Sequence, residues 1–356
     1  VTPVELSRTV LGAVRRAVDE GELSVVVPAR AVVTVPGAGG CGDYATNIAL
    51  QLARPAGRAP RQVAEILRPH LSGAPGVADV AITGPGFLNI SLDLADAART
   101  LVSEILRQGS RYGYGDALAG QVIELSVPYD IRAEVVADTL VQIIATQGGR
   151  AIATQGGRAI ATQGGRVIST QCGRAEVRNS EPVSLRPVPA PEDPVALGPD
   201  AARWALLHPA PHDRPRITAE HLVQREINPL FRIRYAYART RALGRNAASL
   251  GIDSAVADVP QASAPEDVRR AAELLRALAE YPRTLSAAAT HHAPDRLARH
   301  LVTTADAVLD FQHSVLPLGD EKPSDAHRAR LALAEAAGTV LAAGLSLLGI
   351  SAPEYL

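Results

Sequence analysis

The sequence predicts an α+β amino-terminal domain, an all-α antiparallel helical bundle at the carboxyl side, and a reduced α/β segment between them. Three observations lead there. Residues 1–117 alternate helical and strand periodicity. Beyond about Asp200 only helical periodicity remains. Between the two, an eight-residue unit occurs four times, as IIATQGGR, AIATQGGR, AIATQGGR and VISTQCGR over 143–174.

Leu6, Val10, Leu11, Val14 and Val18 recur at helical spacing, which predicts a helix over roughly 3–20. Ala31–Val35 reads as a strand, the Gly-rich stretch Pro36–Gly42 as a turn, and 43–54 as a helix. Pro60 suits the first position of a further helix carrying Val63, Ile66, Leu67 and Leu71. Strands follow at Val77–Thr83 and Phe87–Leu92, divided by Gly84-Pro85-Gly86. Asp93 is placed to cap a helix with Ala97, Leu101 and Ile105 inward. Gln121–Ser126 then reads as a strand and Ile131–Ile144 as a helix. The near-identity of the octapeptides points to recent duplication, with a flexible or weakly paired insertion expected. Proline crowds 180–199, which reads as a linker. A long helix is expected over Asn228–Leu250, and another from Pro265 whose apolar face is Val268, Ala271, Ala272, Leu275, Leu278 and Ala279. Arg296–Leu316 and Ala326–Leu348 complete the bundle, with Gly349 ending the last helix. The expected domains are 1–117, 118–199 and 200–356.

At 356 residues, 47% apolar and 21% charged, the chain has the composition of a globular protein with room for two or three cores. Runs such as Ala31–Val35 and Leu345–Ile350 fall short of the ~20 apolar residues of a membrane span. No basic-then-apolar leader opens the chain, so a cytoplasmic protein without a membrane partner is expected. Cys41 and Cys172 are the only cysteines, too few for a stapled secreted scaffold, although two thiols are able to pair. Net charge is −1, so attraction to nucleic acid has to come from a local patch. Of 36 basic residues only Lys322 is lysine, a bias that a GC-rich coding sequence produces unaided.

Three stretches together resemble the arginyl-tRNA synthetase family. The first is Gly42-Asp43-Tyr44-Ala45-Thr46-Asn47, then Ala59-Pro60-Arg61, then Gly84-Pro85-Gly86-Phe87-Leu88-Asn89-Ile90, similar to that family's amino-terminal domain. The second is Gly198-Pro199-Asp200-Ala201-Ala202-Arg203-Trp204, close to the Asp-Ala-Leu-Arg signature before the anticodon-binding bundle. The third is Asn228-Pro229-Leu230-Phe231 with Tyr235-Ala236-Tyr237-Ala238-Arg239 and the tail from Leu347 to Glu354. Tyr237 stands where the family usually has histidine. The resemblance implies a tRNA partner of the arginine type, held at its outer corner and at its anticodon arm. The His-Ile-Gly-His loop of the family's active site has no counterpart among the nine histidines. At its expected place the chain reads Val127-Pro128-Tyr129-Asp130-Ile131-Arg132. A nucleotide-binding domain needs several βαβ units of ~30 residues or more. Residues 118–199 hold about one, so the segment is expected to be a remnant of a Rossmann-type catalytic domain.

Phe87 and Asn89 alternate on one strand and share a face. They suit an aromatic platform with an amide that reads an unpaired base, or equally a core Phe beside a surface Asn. The resemblance implies contact with a D-loop base. Arg225, Arg232, Arg234, Arg239, Arg241 and Arg245 crowd the start of the bundle among Phe231, Tyr235 and Tyr237. Arginine with aromatics on one helix neutralises phosphates and stacks on bases, which is preferred here to a merely solvated face. Tyr235 and Arg239 share one face, and Arg234, Arg241 and Arg245 another. Gly37-Ala38-Gly39-Gly40-Cys41-Gly42 formally matches G-x-G-x-x-G, but a structural turn is preferred because no acidic strand end follows at the right distance. His291, His292 and His300 lack a zinc-ligand pattern. No catalytic residue, metal or cofactor is expected, ATP entering only if the chain is an arginine–tRNA ligase, alone or with a separate catalytic subunit as protein partner.

Overall fold

The computed structural model describes residues 3–36, 41–74, 76–92, 94–156, 158–163, 166–169, 182–256 and 265–356. Two compact units result, one built on residues 1–101 and the other on the chain from residue 102 onward. In the first, helices α1 (Pro3–Asp19), α2 (Ile48–Ala56) and α3 (Pro60–Ser72) pack on an antiparallel sheet. Its strands β1 (Val33–Thr34), β2 (Tyr44–Thr46), β3 (Val77–Thr83) and β4 (Phe87–Leu92) lie in the order β1-β2-β4-β3. Leu6, Val10, Val14, Leu52, Val63, Leu67, Val80, Leu88 and Ile90 form one core. Pro60 opens α3 as expected, with the Gln62 side chain accepting from the backbone N–H of Ala59 at 3.2 Å. The stretch 43–54 is not one helix. Residues Tyr44–Thr46 pair with β4, and α2 begins only after Asn47. Position 93 and the loop 37–40 lie outside the described residues, whereas Cys41 is an exposed free thiol.

Helix α4 (Leu94–Gln108) follows β4, with Ala97, Leu101 and Ile105 buried. Strand β5 (Val122–Ser126), helix α5 (Ile131–Thr146) and β6 (Arg150–Gln155) make a βαβ unit, since β5 and β6 pair in parallel. Strands β7 (Arg158–Gln163) and β8 (Arg166–Ser169) add to β6 as an antiparallel meander. Among the described residues of the repeats, 150–155, 158–163 and 166–169 are paired strands, the paired form of the insertion that the sequence left open. The first copy differs: its Ile143–Thr146 finishes α5, and only Arg150 enters a strand. The supposed linker contributes β9 (Val183–Ser184), parallel to β5 on the opposite side from β6.

The remainder is helical: α6 (Gly198–Leu207), α7 (Pro229–Ser249), α8 (Pro265–Thr290), α9 (Pro294–Phe311) and α10 (Asp325–Leu347). Asn228 caps α7, its side chain accepting from Leu230 N–H at 3.1 Å. The buried stripe of α8 is rotated from the expected one. It runs through Ala271, Leu274, Leu278, Tyr281 and Leu285, while Val268 is exposed. Helix α10 is long and apolar enough to cross a membrane by length and composition, yet 72% of its apolar window is buried against neighbouring helices. It closes in a Schellman turn: Ile350 N–H donates to Leu345 and Gly349 N–H to Ser346, each at 2.9 Å. The fold is therefore an α+β amino-terminal part, a mixed-sheet region and a helical carboxyl-terminal part.

Candidate nucleic-acid interface

In the first unit the quoted motifs meet. Gly42, at φ 79°, lies so close to β4 that a Cβ there would sit 2.9 Å from the Ile90 carbonyl. Gly86 lies as close to Pro60, whose backbone a Cβ would meet at 2.8 Å. Glycine at both points lets the turn before β2 and the turn before β4 press onto neighbouring backbone. Gly42, the only glycine of the G-x-G-x-x-G match among the described residues, thus has a structural reason to be glycine.

The outer face of β4 carries Phe87 and Asn89 together, opposite the buried Leu88 and Ile90. Phe87 is 39% exposed and walls a recess of about 230 Å³ with Val32, Thr34, Ala45, Thr46 and Asn47. Asn89 is only 2% exposed, and its amide donates to Thr83 Oγ1 at 2.6 Å. The exposures are the reverse of a core Phe beside a surface Asn. Phe87 presents an open ring, while Asn89 braces β4 against β3 and presents little to solvent.

In the second unit, α7 carries two basic faces. On one, Phe231 and Tyr235 stack with centroids 5.6 Å apart. Arg239 follows one turn later and donates to the Gln312 amide oxygen at 2.7 Å, a partner that orients the guanidinium without cancelling its charge. Arg232 pairs with Asp306 at 3.1 Å, and burial holds that carboxyl above its ordinary pKa despite the arginine. On the other face, Arg234 meets Asp200 at 3.7 Å and Ser351 Oγ at 3.3 Å. Arg241 pairs with Glu354 at 3.1 Å, and the Arg245 guanidinium lies 4.2 Å from the Tyr355 ring centre. Tyr237 is half-buried. The faces are grouped as helical spacing predicts, but only that of Phe231, Tyr235 and Arg239 combines open rings with an uncancelled cation.

Two buried arginines escaped sequence reading. Arg132 lies just inside the start of α5, after Asp130, whose carboxylate caps the helix by accepting from Ala133 N–H at 3.0 Å. Its guanidinium gives every N–H to backbone carbonyls, at 2.7–3.0 Å, of Val188, Leu206, Pro209, Ala210 and Asp213. Burial lowers its pKa, with Asp130 and Asp213 opposing. A side chain so engaged ties the end of α6 and the 209–213 loop to α5 and has no donor left for a phosphate. Arg203, from the Asp-Ala-Ala-Arg signature, donates to Asp138 at 2.8 Å, to Thr139 Oγ1 at 3.1 Å and to the Leu348 carbonyl at 2.8 Å. It joins α5, α6 and the end of α10, and Gly349 leaves the space it occupies. Arg132 breaks no local pattern in an arginine-rich chain, and the signature that marks Arg203 carries no sign that its guanidinium is buried against Asp138. The histidines at 291, 292 and 300 do not assemble a ligand set; among the described residues, Glu20, Glu22 and His70 lie close enough to, on an exposed surface.

Two family descriptions match the chain: the arginyl tRNA synthetase N terminal domain over residues 6–92 and the DALR anticodon binding domain over 233–356. The arginine–tRNA ligase of Renibacterium salmoninarum is 52% identical over 128 residues, 35% of this chain and 23% of that protein. That of Paenarthrobacter aurescens is 45% identical over 128 residues, again 23% of its length. The ligase of Frankia alni aligns end to end with 26% identity. That alignment runs to 558 positions against the 356 residues here, the excess being sequence without a counterpart in this chain. In fold, the chain is similar to the arginyl-tRNA synthetases of Thermus thermophilus, with a TM-score of 0.65, 13% identity and 100% of both chains covered, and of Plasmodium falciparum, with 0.62, 8% and 99% of both. With both tRNA-handling domains of those enzymes matched in their order, this chain belongs to the arginyl-tRNA synthetase family.

Proposed function

We propose that this protein binds tRNA of the arginine type in the cytoplasm and does not charge it. The observation that carries the reading is the pair of matched domains flanking a segment whose described residues hold one βαβ unit. That segment, residues 118–199, is read as a catalytic-domain remnant. At the start of α5, where the family's His-Ile-Gly-His loop is expected, Arg132 is spent on carbonyls. Phe87 receives a splayed base in its recess, with Asn89 as the brace beneath it. Phe231, Tyr235 and Arg239 form the open stacking face at the anticodon arm, with Arg232, Arg234, Tyr237, Arg241 and Arg245 around it. Such a protein presents tRNA to a partner enzyme or competes with the synthetase.

Gel shift against arginine tRNA tests the reading. The expected affinity falls with salt at a log–log slope of about −0.7 to −0.9 per phosphate neutralised. Equally weak binding to any RNA would sink it. The names of the relatives favour a second reading, an arginine–tRNA ligase acting alone or completed by another subunit. Arginine-dependent ATP–pyrophosphate exchange by the purified chain distinguishes the two.

A further inference from the structure

Residues after α10 lie across one of the two basic faces of α7. The left-handed turn at Gly349, φ 68°, sends the chain back, and Ser351 fixes it by donating from its backbone N–H to Asp200 Oδ1 at 3.1 Å and from its hydroxyl to Oδ2. Three residues later Glu354 pairs with Arg241 at 3.1 Å, and its carbonyl accepts from Arg245 at 3.5 Å. Tyr355 lays its ring under the Arg245 guanidinium at 4.2 Å. We propose that Glu354 and Tyr355 form a displaceable cover on the Arg241–Arg245 face, occupying the places that an RNA phosphate and base take when tRNA binds.

The inference rests on the reading of α7 as an RNA-binding helix. Its chemistry is that of mimicry. A carboxylate on a guanidinium stands where a phosphate oxygen would, and a phenol ring on the next guanidinium stands where a base would. The cover is weak where it must move and firm where it must not. Arg241 and Glu354 remain about half exposed, at 50% and 47%, so their attraction is screened by solvent. Tyr355 is 71% exposed apart from the face it turns to Arg245. The root at Ser351 has two bonds to Asp200, itself paired with Arg234. RNA therefore meets the Phe231–Tyr235–Arg239 face without competition and gains the second face only by lifting residues 354 and 355. A polyanion with one or two charges gains little from that exchange, whereas a folded RNA with several phosphates in reach gains each released arginine.

The test compares the full chain with its Glu354→Gln/Tyr355→Ala variant, each with and without Arg241→Ala/Arg245→Ala. Elution from immobilised heparin reads the cover independently of tRNA, and a gel shift against tRNA reads its consequence. Uncovering is expected to move heparin elution to higher salt and tighten tRNA binding about three- to tenfold, as loss of an exposed ion pair and a cation–π contact allows. The log–log salt slope should steepen by about one to two phosphate contacts. Both gains should vanish in the Arg241→Ala/Arg245→Ala background. Unchanged heparin elution, weaker tRNA binding by the uncovered variant, or a gain that persists without the two arginines each overturns the proposal. A heparin shift with no tRNA binding by either protein keeps the cover and removes the tRNA reading instead.

Discussion

Replacing Arg203 by alanine removes the cation that pairs with Asp138 in the interior of the second unit. Both side chains are about 9% exposed, and their contact is 2.8 Å. The substitution leaves a buried carboxylate without its partner, for which the cost is about 3–5 kcal/mol. It also strips the donor from the Leu348 carbonyl at the end of α10. Arg241→Ala, which breaks an exposed pair, should cost only about 0.2–1 kcal/mol. Replacing Arg203 and Asp138 together by Met and Leu removes both charges, and should cost mainly the orphaned carbonyl, about 1–3 kcal/mol. Trp204 is the only tryptophan, is fully buried and stacks on His208 at 4.7 Å, so its fluorescence in a urea titration reports this unit alone. A loss below about 1 kcal/mol for Arg203→Ala, or a double variant less stable than the single one, refutes the linchpin role.

Acid should loosen the same unit. Burial holds His208 and His300 at a pKa of about 4, against an ordinary 6.5. Between those values the unfolded chain binds protons that the native one refuses, so stability is full above pH 6.5 and declines as pH falls toward 4. From pH 7 to pH 5 the loss is roughly 2–4 kcal/mol for the two together, partly offset by the raised carboxyl of Asp306, and Tm should fall accordingly. A Tm flat over that interval removes the argument. In the first unit, Phe87→Ala should leave folding little changed but weaken tRNA binding by about 1–3 kcal/mol, the worth of one stacked base. Asn89→Ala should instead lower stability, since its bond to Thr83 is internal; equal effects of the two on binding alone would contradict that division.

Helices with strong periodicity were legible, as α1, α3, α7 and α10 illustrate, because a 3.6-residue apolar stripe and a Pro or Gly at the boundary act locally. Tyr44–Thr46 was not, because three residues have no measurable period and owe their conformation to pairing with β4. The repeat shows the limit most directly. Identical letters, Ile-Ala-Thr, end a helix in the first copy and form strands in the next two, so neighbours and not propensity decide. The two faces of α7 were readable from spacing, since 100° per residue places Arg234, Arg241 and Arg245 together. What covers them was not, because Asp200, Ser351 and Glu354 lie far away in sequence. The bond from the Asn89 amide was not legible either, because its acceptor Thr83 sits on the neighbouring strand and is met only through the pairing of β3 with β4.

The octapeptide meander also constrains how this gene can change length. After the first copy, which ends α5, the later copies supply β6, β7 and β8, so β6 and β8 run in the same sense as β5 while β7 runs against them. Gain or loss of a single copy reverses the sense of the last strand of the meander relative to β9, which runs parallel to β5. A change of two copies restores the heading and merely widens the sheet. Variation in copy number between related strains should accordingly favour even steps, an arithmetic imposed by strand direction and not by the coding sequence that slips.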